Sequence, residues 1–471
     1  MHDQARNDAF MFLMDALLLI AVLAVAAVWI VAPRSLTRVL RMAPLALAGF
    51  ATLQFTAEGF YWQLLPTWLL IAVMAIVALR PVSHRLWARR VGIAVLMLAA
   101  LGPWMILPVP RLPPPTGPYA VGTEVFRWTD ASRPEDATAD PADRRNVIVQ
   151  AWYPAARGAH GPHSTYIDGL GRLPKRVTIL PRFMMTHYGG IDTHGVTGAP
   201  VSTDRAGWPV VVFLTGYGAP RAFYSSLVAD LASRGYVVLA IDHPYEAAVA
   251  QLADGRVVST VEHFLDHDPR RERFMRGRLE LRADDVSFTL DQLERPGAIG
   301  PRLSGHLDLG RVAAAGHSAG GAAAALAFDR DIRIKAAANL DGTYYGAVSP
   351  GRVNRPFLLL DSDHSESGHS AGNVANNRAL FDHFGGGWRY EIARANHFGF
   401  TDAPLFFSSP GRLALSLLIG GERGPVETQR AAVDILSAFL QGPLAERPSD
   451  VDAAARRYSG IAGGRVSASS P

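Results

Sequence analysis

Gly310–Gly321 reads GRVAAAGHSAGG, and an alanine-rich run continues from it to Phe328. A short apolar run stops at a glycine, a single serine follows, and a helix-forming segment begins at once. This order is typical of a nucleophile elbow, in which a serine sits on a sharp strand-to-helix turn. Gly316 and Gly320 are expected where any side chain would collide with the neighbouring strand and helix. The stretch therefore predicts Ser318 as a nucleophile at the C-terminal edge of a parallel sheet.

The same five letters, GHSAG, occur a second time at residues 368–372. This copy follows a polar, turn-like segment, and asparagines come after it instead of a run of small residues. It lacks the strand that must carry an elbow. Ser370 is therefore predicted to lie in an ordinary polar loop.

Composition limits the classes of protein to which the chain can belong. It has 471 residues, of which 49% are hydrophobic, and it has no cysteine. The length predicts two or more domains, and the lack of cysteine excludes disulfides, thiolate nucleophiles and cysteine-based zinc sites. The formal charge of +4 comes almost wholly from arginine, and no basic block is interleaved with aromatic residues. No nucleic-acid partner is therefore expected.

The apolar surplus is concentrated in the first 110 residues. A helix needs about 20 apolar residues to cross a hydrocarbon core of about 30 Å. Four predicted spans meet this length, alone or with their flanking residues; they are residues 10–31, 43–56, 64–79 and 91–109. A cleaved signal peptide is the alternative for the first run, but three further apolar runs would not then follow.

Arginines give the predicted orientation of these spans. Three lie between the first and second spans and four between the third and fourth; they are Arg34, Arg38, Arg41, Arg80, Arg85, Arg89 and Arg90. By the positive-inside rule both of these loops are cytoplasmic, so the N-terminus and everything beyond residue 110 lie outside. The sequence predicts an integral protein of a bacterial inner membrane with an extracytoplasmic catalytic domain.

Beyond the spans, short apolar strands alternate with helical segments from Pro209 to Leu440. This pattern predicts an α/β fold with a mostly parallel sheet and helices on both faces. The predicted division is a membrane region at 1–110, a proline-rich linker at 111–118, a catalytic domain at 119–442 and a flexible tail at 443–471.

A serine hydroxyl is a poor nucleophile alone, so a base and an orienting carboxylate must accompany it, in the order Ser, acid, His. Asp341 ends the strand that follows the elbow helix, and His397 follows the last predicted strand. Asp361 and Asp363 end the intervening strand and are the alternative acids. The predicted triad is Ser318, Asp341 and His397.

Two backbone N–H groups are candidates for stabilising the oxyanion. That of Ala319 lies at the start of the elbow helix, and that of Tyr217 lies in the glycine-containing loop 215–218 after an earlier strand. Donors aimed at the site of developing charge are among the largest contributions to acyl transfer.

With these residues, the sequence resembles the plasma or type II platelet-activating factor acetylhydrolase family, a branch of the α/β-hydrolases. The matching pieces are VVFLTGYG at 211–218, YSS at 224–226, DLASRGY at 230–236, GHSAGG at 316–321, LDG at 340–342 and NH at 396–397. The resemblance implies Asp341 rather than Asp363 as the acid. It also implies calcium-independent hydrolysis of short or oxidised sn-2 acyl phospholipids. The chain departs from the family pattern at Thr215 and Ala319, and in its four membrane spans.

The predicted activity is therefore that of a serine carboxylic-ester hydrolase that needs no metal or cofactor. Its partners would be the membrane and a lipid or small ester substrate. The alternatives are an extracytoplasmic esterase acting on soluble esters, an acyltransferase, and a non-catalytic membrane protein that binds or senses a ligand.

Overall fold

A computed structural model describes most of the chain as two compact units. The described residues are 2–32, 37–79, 86–107, 110–177, 180–185, 188–261, 268–345, 348–367, 371–408, 411–413, 421, 423–445 and 450–469. One unit contains residues 1–110 together with short segments of the later chain, and the other contains most of the chain from Arg111 onward.

The first unit is helical. Its helices are α1 (His2–Val31), α2 (Arg38–Glu58), α3 (Leu65–Leu79) and α4 (Leu86–Ile106). Within the described residues, these four are long and apolar enough to cross a membrane. They match the four predicted runs in number and position. Leu18, Leu70, Met74 and Ile93 are among the residues of their shared buried face, while other apolar side chains point outward.

The second unit is built on one large sheet. Within its described residues the strands are β1 (Ala120–Pro134), β2 (Arg144–Ala155), β3 (Gly195–Thr197), β4 (Trp208–Leu214), β5 (Val237–Asp242), β6 (Leu307–His317), β7 (Ile334–Leu340), β8 (Phe357–Ser362), β9 (Gly386–Ile392) and β10 (Ile461–Ser467). The order across the sheet is β10-β9-β8-β7-β6-β4-β5-β2-β1-β3. The six strands from β9 to β5 run parallel, and β2 and β10 pair antiparallel at either side of them.

Helices cover both faces of this sheet. They are α5 (Ser225–Ser233), α6 (Arg271–Glu294), α7 (Gly300–Leu303), α8 (Ala319–Arg330), α9 (His364–Ser367), α10 (Ala371–Phe384), α11 (Pro425–Ala445) and α12 (Val451–Arg456). Strand β4 shows why both faces need cover, because its alternate residues enter two different cores. Val210 and Val212 pack with α6 and α8, while Val211 and Phe213 pack with α5 and α11. The predicted fold class is confirmed.

The last residues of the predicted linker are fixed to helix α5. The backbone N–H of Thr116 donates to Asp230, at 2.8 Å, and that of Gly117 donates to the hydroxyl of Ser233, at 2.9 Å. The chain thus enters the sheet from an anchored point.

The structure differs from the sequence prediction in the C-terminal tail. Residues 443–471 were expected to be flexible, but α11 extends to Ala445, α12 follows, and β10 pairs with β9 along its whole length. A Cβ on Gly463 would lie 2.0 Å from the carbonyl oxygen of Arg389. The glycines that resemble a flexible tail in the sequence therefore permit close pairing at the sheet edge.

We predict that a chain ending at Gly460, which lacks β10, unfolds several degrees below the full-length protein. Removing β10 would leave the N–H and C=O groups along one side of β9 without strand partners and would uncover Trp388, over which the Arg465 guanidinium lies. Thermal unfolding in detergent would measure the difference. A chain ending at Ser469 is the control, and equal midpoints for the two truncations would contradict the prediction.

Candidate active site

Ser318 lies at the junction of β6 and α8 in a strained backbone conformation. Its φ is 56° and its ψ is −128°. Residues other than glycine rarely adopt such angles, and the cost is about 1–3 kcal/mol. A Cβ on Gly320 would lie 2.2 Å from the carbonyl oxygen of Leu214, and one on Gly316 would lie 2.4 Å from that of Gly320. The turn therefore requires glycine on both sides of the serine.

The structure brings Ser318, His397 and Asp341 together in one chain of hydrogen bonds. The distance from Ser318 Oγ to His397 Nε2 is 3.0 Å, and that from His397 Nδ1 to Asp341 Oδ2 is 2.6 Å. Ser318 follows β6, Asp341 follows the adjacent strand β7, and His397 follows β9. All three lie at the carboxyl ends of parallel strands, where ligands bind in open α/β sheets.

Asp341 is buried, and Ser362 stabilises its charged form. The backbone N–H of Ser362 donates to Oδ1 at 2.8 Å, and its hydroxyl donates to Oδ2 at 2.7 Å. Burial alone would raise the pKa of Asp341, but the hydrogen bonds from His397 and Ser362 and the attraction to His397 outweigh it. The pKa of the carboxyl is held well below its usual range. Asp341 is therefore a carboxylate at neutral pH.

The alternative acids do not contact His397. Asp361 pairs with Arg389 at 2.8 Å. Asp363 accepts hydrogen bonds from Ser365 and, at 2.7 Å, from the backbone N–H of Arg394. Asp361 therefore joins β8 to β9, and Asp363 holds the turns after these two strands. Ser370, the serine of the second GHSAG copy, lies outside the described residues.

The loop after β4, which contains Tyr217, is held from two sides. The N–H of Gly216 donates to the hydroxyl of Tyr224 at 2.9 Å, and the N–H of Gly218 donates to the carbonyl oxygen of Glu246 at 2.9 Å. The guanidinium of Arg282 donates to the carbonyl of Thr215, in the same loop, and to the Glu246 carboxylate. These contacts fix the backbone of the loop in place.

This loop lies directly against Ser318. A Cβ on Gly216 would lie 3.3 Å from Cβ of Ser318 and 3.0 Å from the Tyr224 hydroxyl. Ala319, the other predicted source of an oxyanion donor, is the first residue of α8, where the helix dipole favours negative charge. Both predicted donors therefore belong to backbone that adjoins Ser318.

His317 is a part of the site that the sequence prediction missed. Its ring is buried; Nδ1 lies 2.8 Å from the Tyr224 hydroxyl, and Nε2 lies 2.9 Å from the carbonyl oxygen of His397. Burial and the neighbouring His397 ring lower the pKa of His317 to about 3. The residue stands next to the nucleophile in the sequence, but only the fold shows what it contacts.

The side chains of His317, Asp341 and His397 lie close enough together to be a candidate metal site. Their possible ligand atoms fall within 4.8 Å of one another. Both ring nitrogens of each histidine, however, already take part in hydrogen bonds to Tyr224, Ser318, Asp341 or the His397 carbonyl. The hydrogen bonds of these three side chains are therefore typical of a site that transfers protons.

Comparison with known proteins shows which family the chain resembles. A family model described as platelet-activating factor acetylhydrolase, isoform II, matches residues 107–272. A probable 1-alkyl-2-acetylglycerophosphocholine esterase from Arthroderma benhamiae is 26% identical over 348 residues, which cover 66% of this chain and 82% of that protein. The chain is therefore similar to the platelet-activating factor acetylhydrolase family.

Two further relatives agree with this assignment. The platelet-activating factor acetylhydrolase of Cavia porcellus is 24% identical over 234 residues, which are 45% of this chain and 53% of that protein. A ferulic acid esterase from Streptomyces cinnamoneus has a similar structure, with a TM-score of 0.64 and 28% identity, and the similarity covers 75% of this chain and 99% of that one. The chain is a carboxylic-ester hydrolase of the α/β-hydrolase fold.

The buried His317 gives a prediction for the pH dependence of stability. Its folded pKa of about 3 lies below the value of about 6.5 in an unfolded chain, so the unfolded state binds more protons between these values. Stability is therefore complete above about pH 6.5 and falls as the pH drops, by about 1.4 kcal/mol per pH unit for this residue.

Unfolding midpoints measured from pH 7 to pH 4.5 would test this dependence. His317→Gln should be less stable than wild type at pH 7, because it perturbs a buried hydrogen-bonded site, but its midpoint should fall less steeply with pH. Substitution of the exposed His160 by glutamine is the control and should leave the slope unchanged. Equal slopes for wild type and His317→Gln would contradict a neutral His317.

Proposed function

We propose that Ser318, His397 and Asp341 form the catalytic triad of this esterase. The observation that carries the proposal is the pair of distances to His397, 3.0 Å from Ser318 Oγ and 2.6 Å from Asp341 Oδ2. A base bonded to the hydroxyl on one side and to a buried carboxylate on the other is the arrangement that activates a serine.

The reaction begins with attack of Ser318 Oγ on the ester carbonyl carbon, while His397 Nε2 takes the hydroxyl proton. Asp341 orients the imidazole and stabilises its charged form. The backbone N–H groups of Tyr217 and Ala319 bind the oxyanion of the tetrahedral intermediate. His397 then gives its proton to the departing alcohol, and an acyl-enzyme remains. Water, activated by the same histidine, releases the acid and restores Ser318.

The proposed substrates are phospholipids or related lipids with a short acyl ester. This class is supported by the relative named a probable 1-alkyl-2-acetylglycerophosphocholine esterase. The four apolar helices support it independently, since tethering a site beside a bilayer raises the local concentration of amphiphilic esters. The arginine distribution favours insertion in a bacterial inner membrane with the catalytic domain outside.

A second candidate function is hydrolysis of small soluble esters. It is favoured by the likeness to the ferulic acid esterase, which extends over 99% of that chain. Both candidates use the same triad and differ only in what occupies the acyl and alcohol sides of the site. A role limited to ligand binding or sensing is not favoured, because the relatives and the structural neighbour are esterases.

We predict that Ser318→Ala and Asp341→Asn each lower kcat by about 10⁴-fold or more, since the triad members act as a unit. Hydrolysis of a p-nitrophenyl acetate by the full-length protein would measure this. Asp363→Asn and Ser370→Ala are matched controls and should retain most of the wild-type rate. Full activity of Ser318→Ala, or loss in Asp363→Asn equal to that in Asp341→Asn, would refute the assignment.

A covalent probe and a chelator complete this test. A fluorophosphonate should label wild type and Ser370→Ala but not Ser318→Ala. EDTA should leave the wild-type rate unchanged; an EDTA-sensitive rate that Zn²⁺ or Mg²⁺ restores would instead assign a metal to the histidine and aspartate cluster.

We predict a higher kcat/KM for an sn-2 acetyl phospholipid in liposomes than for its sn-2 palmitoyl analogue, and higher than for methyl ferulate in solution. The advantage over methyl ferulate is expected because a tethered site encounters esters held in a bilayer at high local concentration. The preference for the acetyl over the palmitoyl ester is expected from the relative named a probable 1-alkyl-2-acetylglycerophosphocholine esterase. The full-length protein in proteoliposomes should be compared on all three substrates. A preference for methyl ferulate, unaffected by lipid, would favour the second candidate.

A further inference from the structure

A line of hydrogen bonds crosses the floor of the site beneath the triad. The N–H of Gly216 meets the Tyr224 hydroxyl at 2.9 Å, that hydroxyl meets Nδ1 of His317 at 2.8 Å, and Nε2 of His317 meets the carbonyl oxygen of His397 at 2.9 Å. The Tyr224 side chain is fully buried, and His317 is 2% exposed. Polar groups this deeply buried depend on one another, because water cannot replace a lost partner.

The two ends of this line fix the direction of its first and last bonds. A backbone N–H can only donate, so the Tyr224 oxygen accepts from Gly216 and its single proton points elsewhere. A backbone carbonyl can only accept, so Nε2 of His317 must carry a proton. With a neutral ring, Nδ1 is then bare and accepts the Tyr224 proton. In this arrangement every group in the line has a partner, including the Tyr224 proton. With a doubly protonated ring, Nδ1 would donate to the Tyr224 oxygen instead, and the Tyr224 proton would have no partner in the line.

The line of hydrogen bonds joins two parts of the site whose relative positions must be kept during catalysis. Gly216 precedes Tyr217, the proposed source of an oxyanion donor, and His397 is the proposed base. The rings of His317 and His397 lie 4.5 Å apart at an angle of 39°. We propose that His317, held with Tyr224 in this tautomer, is a positioning residue that sets the oxyanion loop relative to the catalytic histidine.

Imidazole suits this position because it offers an acceptor and a donor on opposite sides of a small rigid ring. Phenylalanine would offer neither group, and a charged ring would offer two donors and no acceptor for the Tyr224 proton. The inference rests on the proposed function, because it assigns positioning to groups that only that mechanism uses. It goes beyond that function, since neither His317 nor Tyr224 contacts the reacting atoms.

Tyr224→Phe is the most direct test, since it removes one oxygen and leaves both Gly216 N–H and His317 Nδ1 without that partner. In the full-length protein, kcat should fall by about 10- to 100-fold, the range expected when a transition-state donor or base is displaced, while KM changes by less than about 3-fold. The rate of fluorophosphonate labelling of Ser318 should fall by the same factor as kcat.

Tyr153→Phe is the matched control. Tyr153 is also fully buried, and its hydroxyl donates a single hydrogen bond, at 2.8 Å, to the carbonyl of Ala199 away from Ser318. This variant should lose stability but keep kcat. Equal kcat and labelling rates in the two tyrosine variants would overturn the positioning role. Failure of wild type to be labelled at Ser318 would refute the proposed function instead.

A measurement on the unaltered protein keeps the inference testable if Tyr224→Phe does not fold. ¹⁵N spectra of histidine-labelled full-length protein in detergent would report the tautomer, with the signal of His317 identified by its loss in His317→Gln. A neutral ring protonated on Nε2 from pH 7 to pH 5 is expected. A proton on Nδ1, or a doubly protonated ring at pH 7, would overturn the inference.

Discussion

The site depends on the close approach of three pieces of backbone around Ser318. The N–H of Ser318 donates to the carbonyl of Leu340 at 2.8 Å, and a Cβ on Gly342 would lie 2.2 Å from the carbonyl oxygen of Ser318. On the other side, helix α8 packs so closely against the end of β4 that a side chain at Gly320 would not fit. Backbone contacts therefore place the proposed nucleophile, the proposed acid and the loop that contains Tyr217.

This arrangement carries a cost that the rest of the domain must offset. Ser318 and Asp341 both have a φ of 56°, a conformation that costs about 1–3 kcal/mol for each non-glycine residue. Asp341 is also desolvated, and its hydrogen bonds with Ser362 and His397, together with the attraction to His397, keep it ionised. A strained conformation of this kind persists only where many contacts with the surrounding structure hold it in place. Here the fully buried alanines of β6, β7 and α8 pack the sheet and helix tightly beneath the turn.

Much of the fold and of the candidate site could be predicted because the signals are local. The elbow needs glycines at fixed spacing, and the acid and base follow strands in a set order, so Ser318, Asp341 and His397 could be named from the chain alone. The partners of Asp361 and Asp363 could not, because Arg389 and the Arg394 N–H approach them only after β8 and β9 pair. The line through Tyr224 and His317 likewise joins residues far apart in sequence.

The C-terminal tail shows a second limit of prediction from the sequence. The glycine-rich composition from residue 461 onward is common to mobile chain ends and to strands that pack unusually closely. The residues that pack against the segment decide whether it is a mobile end or a closely packed strand. The carbonyl of Arg389 lies where a side chain on Gly463 would be. Composition therefore indicated the conformational freedom of these glycines but not its use, and the edge strand β10 was missed.

Two histidines that share one site must differ in charge for the proposed reaction to proceed. His397 becomes an imidazolium when it takes the proton of Ser318, and its ring lies 4.5 Å from that of His317. A second positive charge at this distance would oppose that step by about 4 kcal/mol at an effective dielectric constant of about 20. Burial keeps His317 neutral, and its acceptance of the Tyr224 proton keeps Nδ1 bare. Burial of the ring that positions the oxyanion loop therefore also removes a charge that would hinder the base.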